Sequence, residues 1–218
     1  MKKRLVIALF LLILFTTINS QQRFIASQFD LKTIEIENNL LLKDNDIKNL
    51  LITFYNKNLV FLNNNEVKKA LMQNSLIESF IIKKKYPNTL KIKIFEKKPI
   101  AILFDKKNKF YLSEKIDLIE FRNLPNYHTL PYVLGNKDDF KIFYNNLKKI
   151  NFPLNVVKKY TLYETDRWDI ETKNDQIIKL PSKNYLKSLK NFLILKSKND
   201  FEKYKLFDYR INKQLILR

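Results

Sequence analysis

Glycine is almost absent from this chain, and its scarcity constrains every turn that the chain can make. Gly135 is the single glycine among 218 residues. Many turns need a left-handed backbone, and asparagine is among the few other residues that tolerate it. We therefore expect pairs such as Asn38-Asn39 and Asn174-Asp175 to end regular elements where another protein would use glycine. Asn, Lys and Ile are abundant in segments of every type, which indicates a chain-wide compositional bias.

The chain is strongly basic, with 41 Lys and Arg against 22 Asp and Glu and a formal net charge of +19. Such a charge favours binding to nucleic acid or to anionic lipid or wall polymers when it is concentrated on one element. Here it is spread over the chain, and no basic run is longer than the three residues of Lys83–Lys85. This distribution favours lysine as the default surface residue and predicts no specific nucleic-acid partner. The absence of cysteine excludes disulfides, thiolate zinc sites and cysteine nucleophiles.

The N-terminus combines a basic start with an apolar run. Lys2-Lys3-Arg4 precedes Leu5 to Ile18, which would form a helix of about 21 Å, shorter than the ~30 Å hydrocarbon core of a membrane. The same order is typical of a cleaved signal peptide and of an uncleaved anchor with its positive end in the cytoplasm. A cleavage after Ser20 would place Ile18 at the position where a small residue is needed. The pattern therefore favours an uncleaved anchor, with the rest of the chain exported.

The segment 29–97 alternates between strand and helix patterns. Polar and apolar side chains alternate from Thr33 to Glu37, which is typical of a strand. Two segments with helical spacing follow, and two further alternating segments flank Pro87-Asn88. The predicted core of this unit comprises Ile36, Leu51, Leu71, Ile92 and Ile94. The order strand, helix, helix, strand, strand predicts a small α+β domain that places no nucleophile beside a base.

The remainder of the chain contains short strand patterns and two helix patterns. One helix is predicted from about Lys137 to Ile150, and a second is predicted to be capped by Ser182. The last strand pattern, Gln214 to Arg218, is strongly apolar in Leu215-Ile216-Leu217. We expect it to lie at a sheet edge, where an incoming extended segment can pair with it.

Side chains that could support catalysis are few and scattered. His128 is the only histidine and lies in a loop without the residues of a triad. Asp166 and Asp169 resemble a glycosidase carboxylate pair, but strand positions three apart point to opposite faces, so we expect Asp166 in a turn and Asp169 facing solvent. No metal cluster is predicted from the spacing of Glu171, Asp175 and Asp208. The sequence therefore predicts no catalytic, cofactor or metal site, and it indicates that Trp168 is a packing anchor.

Residues 29–97 resemble the POTRA domain. The resemblance rests on Ile34-Glu35-Ile36, on Tyr86-Pro87-Asn88 leading into a strand, and above all on Glu96-Lys97-Lys98-Pro99-Ile100-Ala101. Asn38 stands where members of the family usually carry glycine after the first strand. Asparagine can hold the same backbone angle, so this difference is compatible with the resemblance.

The second half resembles the second domain of the FtsQ/DivIB family of bacterial division proteins. The matching segments are Phe110-Tyr111-Leu112-Ser113, Leu130-Pro131 with Gly135, Arg167-Trp168 followed by Ile178-x-Leu180-Pro181, and Phe207-Asp208-Tyr209-Arg210. Together with the apolar N-terminus and the POTRA-like unit, the resemblance covers nearly the whole chain in the order found in that family.

The resemblance implies a domain plan and an α+β fold class. The expected parts are a cytoplasmic tail at 1–4, a transmembrane signal anchor at 5–22, a POTRA domain (β-α-α-β-β) at 29–97, and a mixed α/β domain with an antiparallel-rich sheet at 98–218. It further implies a non-enzymatic scaffold that links early and late division proteins at the septum. Such a protein crosses the inner membrane once, with its N-terminus cytoplasmic and its folded domains periplasmic. The implied partners are FtsB-like and FtsL-like proteins and other divisome proteins, with no cofactor and no small-molecule substrate.

The resemblance also implies where partners bind, since in FtsQ-like proteins the region after Asp-x-Arg carries the contacts to FtsB. Residue matching predicts a partner site of Arg210, Ile211, Lys213, Leu215 and Leu217. Arg210 is expected to pair with a partner carboxylate, and the two leucines to fill alternate pockets or, alternatively, to cap the core of their own domain. Ile216 is expected to point to the opposite face.

Two other classes of protein are alternatives to this hypothesis. A secreted carbohydrate-active enzyme would need a paired-carboxylate cleft, which the sequence does not show. Another POTRA-bearing component of envelope assembly or secretion remains the alternative.

Overall fold

The computed structural model describes residues 2–17, 27–106, 108–124, 127–198, 201, 203–211 and 214–218. The chain divides into two compact units, Met1–Lys97 and Lys98–Arg218. Each unit has its own buried core and its own sheet.

The first helix, α1, runs from Lys2 to Thr17 and carries exposed apolar side chains, among them Phe10 and Leu12. Among the described residues, no helix has both the length and the apolar character needed to cross a membrane. The predicted anchor at 5–22 continues beyond α1, and its residues 18–22 lie outside the part of the chain that the structure describes.

The fold of the first unit confirms the predicted β-α-α-β-β order. Strand β1 (Thr33–Glu37) is followed by α2 (Asp44–Leu50), a 3₁₀ turn (Ile52–Phe54), α3 (Asn64–Leu71), β2 (Ile77–Lys85) and β3 (Thr89–Glu96). The sheet order is β1-β3-β2, in which β1 runs parallel to β3 and β2 antiparallel to it.

The helices of this unit cover one face of its sheet. Leu51, Leu71, Ile92 and Ile94 are fully buried, as predicted, whereas Ile36 near the end of β1 is only half-buried. The spacing of Ile47, Leu50, Leu51 and Phe54 predicts one helix, but this stretch is divided into α2 and the 3₁₀ turn.

Two polar contacts fix the loop that follows β1. Asn38 adopts a left-handed backbone (φ 65°) and donates from its side chain to the carbonyl oxygen of Ile94 at 2.7 Å. The Glu96 carboxylate accepts from the backbone N–H groups of Leu40, Leu41 and Leu42 at 3.1, 2.7 and 2.9 Å. Glu96 thus satisfies three loop donors at once, which gives a physical role to the most specific motif of the POTRA resemblance.

The second unit contains a nine-stranded mixed sheet. In chain order its strands are β4 (Pro99–Asp105), β5 (Asn108–Ser113), β6 (Leu118–Glu120), β7 (Tyr132–Leu134), β8 (Val157–Tyr163), β9 (Arg167–Thr172), β10 (Ile177–Lys179), β11 (Leu206–Asp208) and β12 (Ile216–Leu217). The spatial order is β12-β11-β10-β9-β8-β7-β4-β5-β6. The pairs β4–β7, β7–β8 and β10–β11 are parallel and the others are antiparallel, so the predicted antiparallel-rich sheet is confirmed.

Two helices, α4 (Lys137–Lys149) and α5 (Tyr185–Lys196), pack their apolar faces into the core of this unit. Trp168 stacks on Phe143 of α4 with ring centroids 4.7 Å apart, which confirms its predicted packing role. Phe192 of α5 meets Phe207 of β11 edge to face at 4.9 Å. These aromatic contacts fix the strands at one end of the sheet against the two helices.

One strand of this unit was not predicted, and one local prediction was wrong. Tyr132–Leu134 forms β7, and three residues are too few for their pattern to predict a strand. Ser182 does not cap α5, because the helix begins later and its N-cap is Asn184 in a left-handed conformation (φ 59°).

Candidate partner-binding edge

The sheet of the second unit ends in β12, which pairs on one side with β11. The backbone groups of Leu206 and Arg218 exchange both hydrogen bonds, at 2.9 and 3.2 Å. In an antiparallel ladder such pairs alternate with pairs that do not bond to each other. Phe207 and Leu217 are the next pair in register, so the N–H and C=O of Leu217 point away from β11. Within the described chain no strand pairs with this outer edge of β12.

The side chains of this edge alternate between two environments. Leu215 and Leu217 are partly buried and pack against the core of their own unit. Ile216 points to the opposite face, with 37% of its surface exposed. This alternation agrees with the prediction that Ile216 points to the face opposite Leu215 and Leu217. The two leucines, however, contact their own domain in the free chain, so we expect their backbone rather than their side chains to be available to a partner.

Asp208 and Arg210 form a local ion pair beside this edge. Arg210 donates from Nε to both carboxylate oxygens of Asp208, at 2.8 and 3.0 Å, and its backbone N–H donates to the same carboxylate at 3.0 Å. The Arg210 guanidinium lowers the pKa of Asp208, and Asp208 in turn raises the pKa of Arg210. Arg210 thus already has a carboxylate partner within the chain, while its side chain remains 42% exposed.

A groove of about 570 Å³ adjoins the ion pair, and it is lined by residues at the N-terminal end of α5 and by Tyr209–Ile211, Gln214 and Leu215. Three predicted partner residues line it: Arg210, Ile211 and Leu215. On the opposite wall are Lys183 and Lys187, both exposed. Lys213, the remaining charged residue of the predicted site, lies outside the described residues. The groove combines cations with apolar walls, which suits a segment that carries an acidic side chain next to apolar ones.

Tyr209 connects the C-terminal segment to α5. Its hydroxyl donates to the side-chain oxygen of Asn191 at 3.0 Å, and its backbone N–H donates to the carbonyl oxygen of Lys179 at 2.9 Å. Burial raises the pKa of the Tyr209 hydroxyl, so this group stays a neutral hydrogen-bond donor at neutral pH. The contacts hold Arg210, the next residue, at the mouth of the groove.

Asp169 is buried, and the prediction that it faces solvent was wrong. It lies on the outer face of the sheet. There Lys179 of β10 is paired in register with Asp169 of β9 on one side and with Asp208 of β11 on the other. Only 7% of Asp169 is exposed, and its Oδ1 has no hydrogen-bond partner among the described residues, although Arg167 Nε lies 3.5 Å away. Burial raises the pKa of Asp169, against the opposing effects of the nearby cations. The sequence pattern of one strand could not predict this burial, because the side chains that cover Asp169 belong to neighbouring strands.

The other acidic and histidine positions do not converge. Asp166 has a left-handed backbone (φ 54°) in the turn between β8 and β9, as expected, and His128 is exposed in a loop. Among the residues described, no group of three or more His, Cys, Asp or Glu side chains is arranged to hold a metal ion.

Comparison with known proteins gives a family match for the first unit and similar cell division proteins for most of the chain. The family model described as "POTRA domain, FtsQ-type" matches residues 29–97. Cell division protein FtsQ of Rickettsia bellii is 27% identical over 186 residues, covering 84% of this chain and 69% of that protein. FtsQ of Rickettsia conorii is 28% identical over 149 residues, covering 66% of this chain and 55% of that protein. Cell division protein DivIB of Clostridium acetobutylicum is 33% identical over 95 residues, covering 43% of this chain and 38% of that protein.

The chain thus spans between about half and two thirds of the length of the two FtsQ relatives. The match to R. bellii FtsQ covers 84% of this chain and therefore extends beyond the POTRA unit. Residues 29–97 match the FtsQ-type POTRA family, and most of the chain is similar to cell division protein FtsQ.

Proposed function

We propose that this chain is a non-enzymatic scaffold of bacterial cell division that captures a partner at the outer edge of β12. The observation that carries the proposal is the outward direction of the Leu217 backbone N–H and C=O at the end of a nine-stranded sheet. The relatives with similar sequences bear the names of cell division proteins, which supports a role in division.

Strand addition is the mode of binding that suits this edge. An extended partner segment would supply the backbone groups that β12 lacks on its outer side, and unpaired strand edges are known templates for such pairing. Because Leu215 and Leu217 already pack inward, sequence preference would come from the adjoining groove rather than from pockets for these two leucines. Partner residues next to the added strand would then meet Arg210, Lys183 and Lys187.

The charge of the groove indicates an acidic residue in the partner. Asp208 engages Arg210 through Nε, Nη2 and the backbone N–H, and the Arg210 side chain remains 42% exposed, so the outer edge of the guanidinium can contact a second carboxylate. Lys183 and Lys187 add positive charge on the opposite wall. By family resemblance the proposed partners are FtsB-like and FtsL-like proteins, with which the chain would link early and late division proteins at the septum.

The apolar helix α1 is the proposed membrane attachment. It carries exposed apolar side chains after the basic start Lys2-Lys3-Arg4, and we propose that the segment 5–22 anchors the chain with its N-terminus in the cytoplasm and both units exported. Mass spectrometry of the protein purified from membranes tests this directly. The intact N-terminus is expected, and a mature N-terminus near Gln21 would contradict the anchor.

The partner edge is tested by two variants at one position. Leu217→Ala removes packing and keeps the outward N–H, whereas Leu217→Pro removes that N–H as well while sparing the hydrogen bonds to β11. In pull-downs of the tagged full-length protein from detergent-solubilised membranes, Leu217→Ala is expected to retain the FtsB-like partner and Leu217→Pro to lose most of it.

The comparison is valid if the two variants unfold at similar temperatures. Equal capture by both would exclude backbone pairing at Leu217 and leave the groove as the contact. Recovery of envelope assembly proteins, with no division protein among them, would favour the alternative POTRA-bearing component.

A further inference from the structure

The sheet of the first unit has one face turned away from its helices, and this face is rich in lysine. Ile34, Leu90, Ile92 and Ile94 point toward the helices, so the alternate residues of each strand point outward. The outward residues of β2 and β3 include Lys83, Lys85, Lys91 and Lys93, which we call the lysine face. On β1 the corresponding outward residues are Glu35 and Glu37.

The register places like charges directly opposite each other on the lysine face. Lys83 of β2 is paired in register with Lys91 of β3, and Lys93 follows on the same face. Side chains in such positions have Cβ atoms about 5 Å apart, and like charges there are destabilising. Nothing in the strand pattern requires this arrangement, since an uncharged polar residue would satisfy an outward position equally well.

The acidic strand β1 neutralises only part of the lysine face. Glu37 binds Lys91 at 2.8 Å, and Glu35 lies 3.4 Å from Lys85. Lys83 and Lys93 take part in none of the ion pairs found among the described residues, and the Lys93 ammonium lies over the Phe95 ring at 5.6 Å. Two exposed ammonium groups therefore remain available on this face of the sheet.

Apolar side chains adjoin the free lysines on the same face. Ile81 is opposite Lys93 in register and is 47% exposed, and Phe95 is 36% exposed at the end of the same row. Exposed aliphatic and aromatic groups beside lysine are typical of surfaces that lie in a membrane interface. There the apolar groups enter the acyl boundary and the ammonium groups reach the headgroups.

We propose that the lysine face docks on a bilayer that carries anionic headgroups. All four lysines lie on one side of a three-stranded sheet, and Lys83 and Lys93, which form no ion pair among the described residues, can meet headgroup phosphates together. The inference rests on the proposed membrane anchor, which supplies the proximity: the segment 23–32 between the anchor at 5–22 and β1 spans at most about 36 Å when fully extended. Docking would hold the POTRA domain against the membrane and lower the number of orientations in which the chain meets its partners.

Lysine reactivity in nanodiscs tests the docking surface. The full-length chain is placed in phosphatidylcholine discs and in discs that also contain phosphatidylglycerol, and the acetylation rate of each lysine is read by mass spectrometry. Lys83 and Lys93 are expected to react roughly five-fold more slowly in the anionic discs, and 0.5 M salt should remove most of the difference. Lys68 and Lys69, exposed on α3 among the helices, provide the internal comparison and should react alike in both discs.

Two double variants test whether the protection depends on the lysine face or only on the total positive charge of the chain. Lys83→Gln with Lys93→Gln should abolish the protection of Lys85 and Lys91, whereas Lys68→Gln with Lys69→Gln, which removes the same charge, should leave it intact. Equal rates for Lys83 in the two discs, in a chain that has entered both, would overturn the docking surface alone. A chain that enters neither disc would overturn the anchor and the docking surface together.

Discussion

Arg210 is held by Asp208 two residues earlier, with its Nε 2.8 Å from one carboxylate oxygen and 3.0 Å from the other. The same carboxylate accepts the backbone N–H of Arg210. The Asp-x-Arg motif therefore forms a self-contained turn that sets the direction of the chain between β11 and the groove. A residue that a partner would contact is thus positioned before any partner arrives.

Replacing Asp208 should loosen that turn. Asp208→Asn is expected to destabilise the second unit by about 1–2 kcal/mol, because charge-assisted hydrogen bonds become neutral ones. It should also weaken partner capture, since Arg210 loses its orientation. Asp175→Asn, at an exposed residue paired with Lys158, is the matched control and should change stability by less than about 0.5 kcal/mol. Chemical denaturation and pull-down measure the two effects, and a stable Asp208→Asn variant with normal capture would contradict the positioning role.

The pH dependence of stability should carry opposite contributions from two aspartates. Arg210 lowers the pKa of Asp208, so its contribution is complete above the ordinary aspartate pKa of about 3.9 and is lost as the pH falls through the lower folded value. Burial raises the pKa of Asp169, so its contribution is complete below about pH 3.9 and is lost as the pH rises through the higher folded value.

Denaturation between pH 3 and pH 7 can separate these contributions. Relative to the unmodified chain, Asp208→Asn should reduce the loss of stability on acidification. Asp169→Asn should instead reduce the loss that accompanies rising pH above about 4. Identical pH profiles for the two variants would show that the two carboxyl groups do not occupy the distinct environments seen in the structure.

The last strand should respond to mutation with a period of two. Leu217→Lys is expected to cost about 1–3 kcal/mol, because it removes a partly buried apolar side chain from the core and brings an ammonium group there. Ile216→Lys, one residue earlier on the exposed face, should cost less than about 0.5 kcal/mol. Thermal unfolding of the two variants measures the loss of stability in each. Equal losses would mean that β12 does not keep this register.

Glu96 should matter more to the POTRA unit than its surface position suggests. Glu96→Gln is expected to lower the free energy of unfolding by about 1–3 kcal/mol, because the backbone donors of Leu40, Leu41 and Leu42 lose a charged acceptor. Glu37→Gln removes the same charge from an exposed ion pair with Lys91 and should have little effect. The outcome to look for in urea denaturation is a shifted midpoint for the first variant only.

Two neighbouring residues of the first unit should lose very different amounts of stability when each is replaced by alanine. Leu51 is fully buried, and Leu51→Ala is expected to cost about 2–5 kcal/mol. Ile52, the next residue, is 64% exposed, and Ile52→Ala should cost less than about 0.5 kcal/mol. Similar values for the pair in denaturant titrations would show that the helical face was assigned to the wrong residues.

The positions of several turns and cores could be predicted because they depend on local chemistry. Asparagine replaces glycine at left-handed positions, and Asn38, Asn56 and Asn151 all have positive φ angles, as the scarcity of glycine suggested. Apolar periodicity identified the buried face of α4 because every inward residue of a helix recurs at a fixed spacing. Motifs in both halves indicated the resemblance to FtsQ and DivIB for the same reason, because a motif is a local pattern of residues that are close in sequence.

By itself, then, the sequence determined most of the order of the elements, most of the residues that enter the cores and the resemblance to FtsQ and DivIB proteins. The tertiary structure alone decided which strands became neighbours, and with them the open edge of β12, the burial of Asp169 and the opposition of Lys83 to Lys91. Strand patterns fix which side chains share a face, but the pairing partner and its register are set by packing between segments far apart in the chain. The chemistry of this protein's surfaces arises from those long-range pairings.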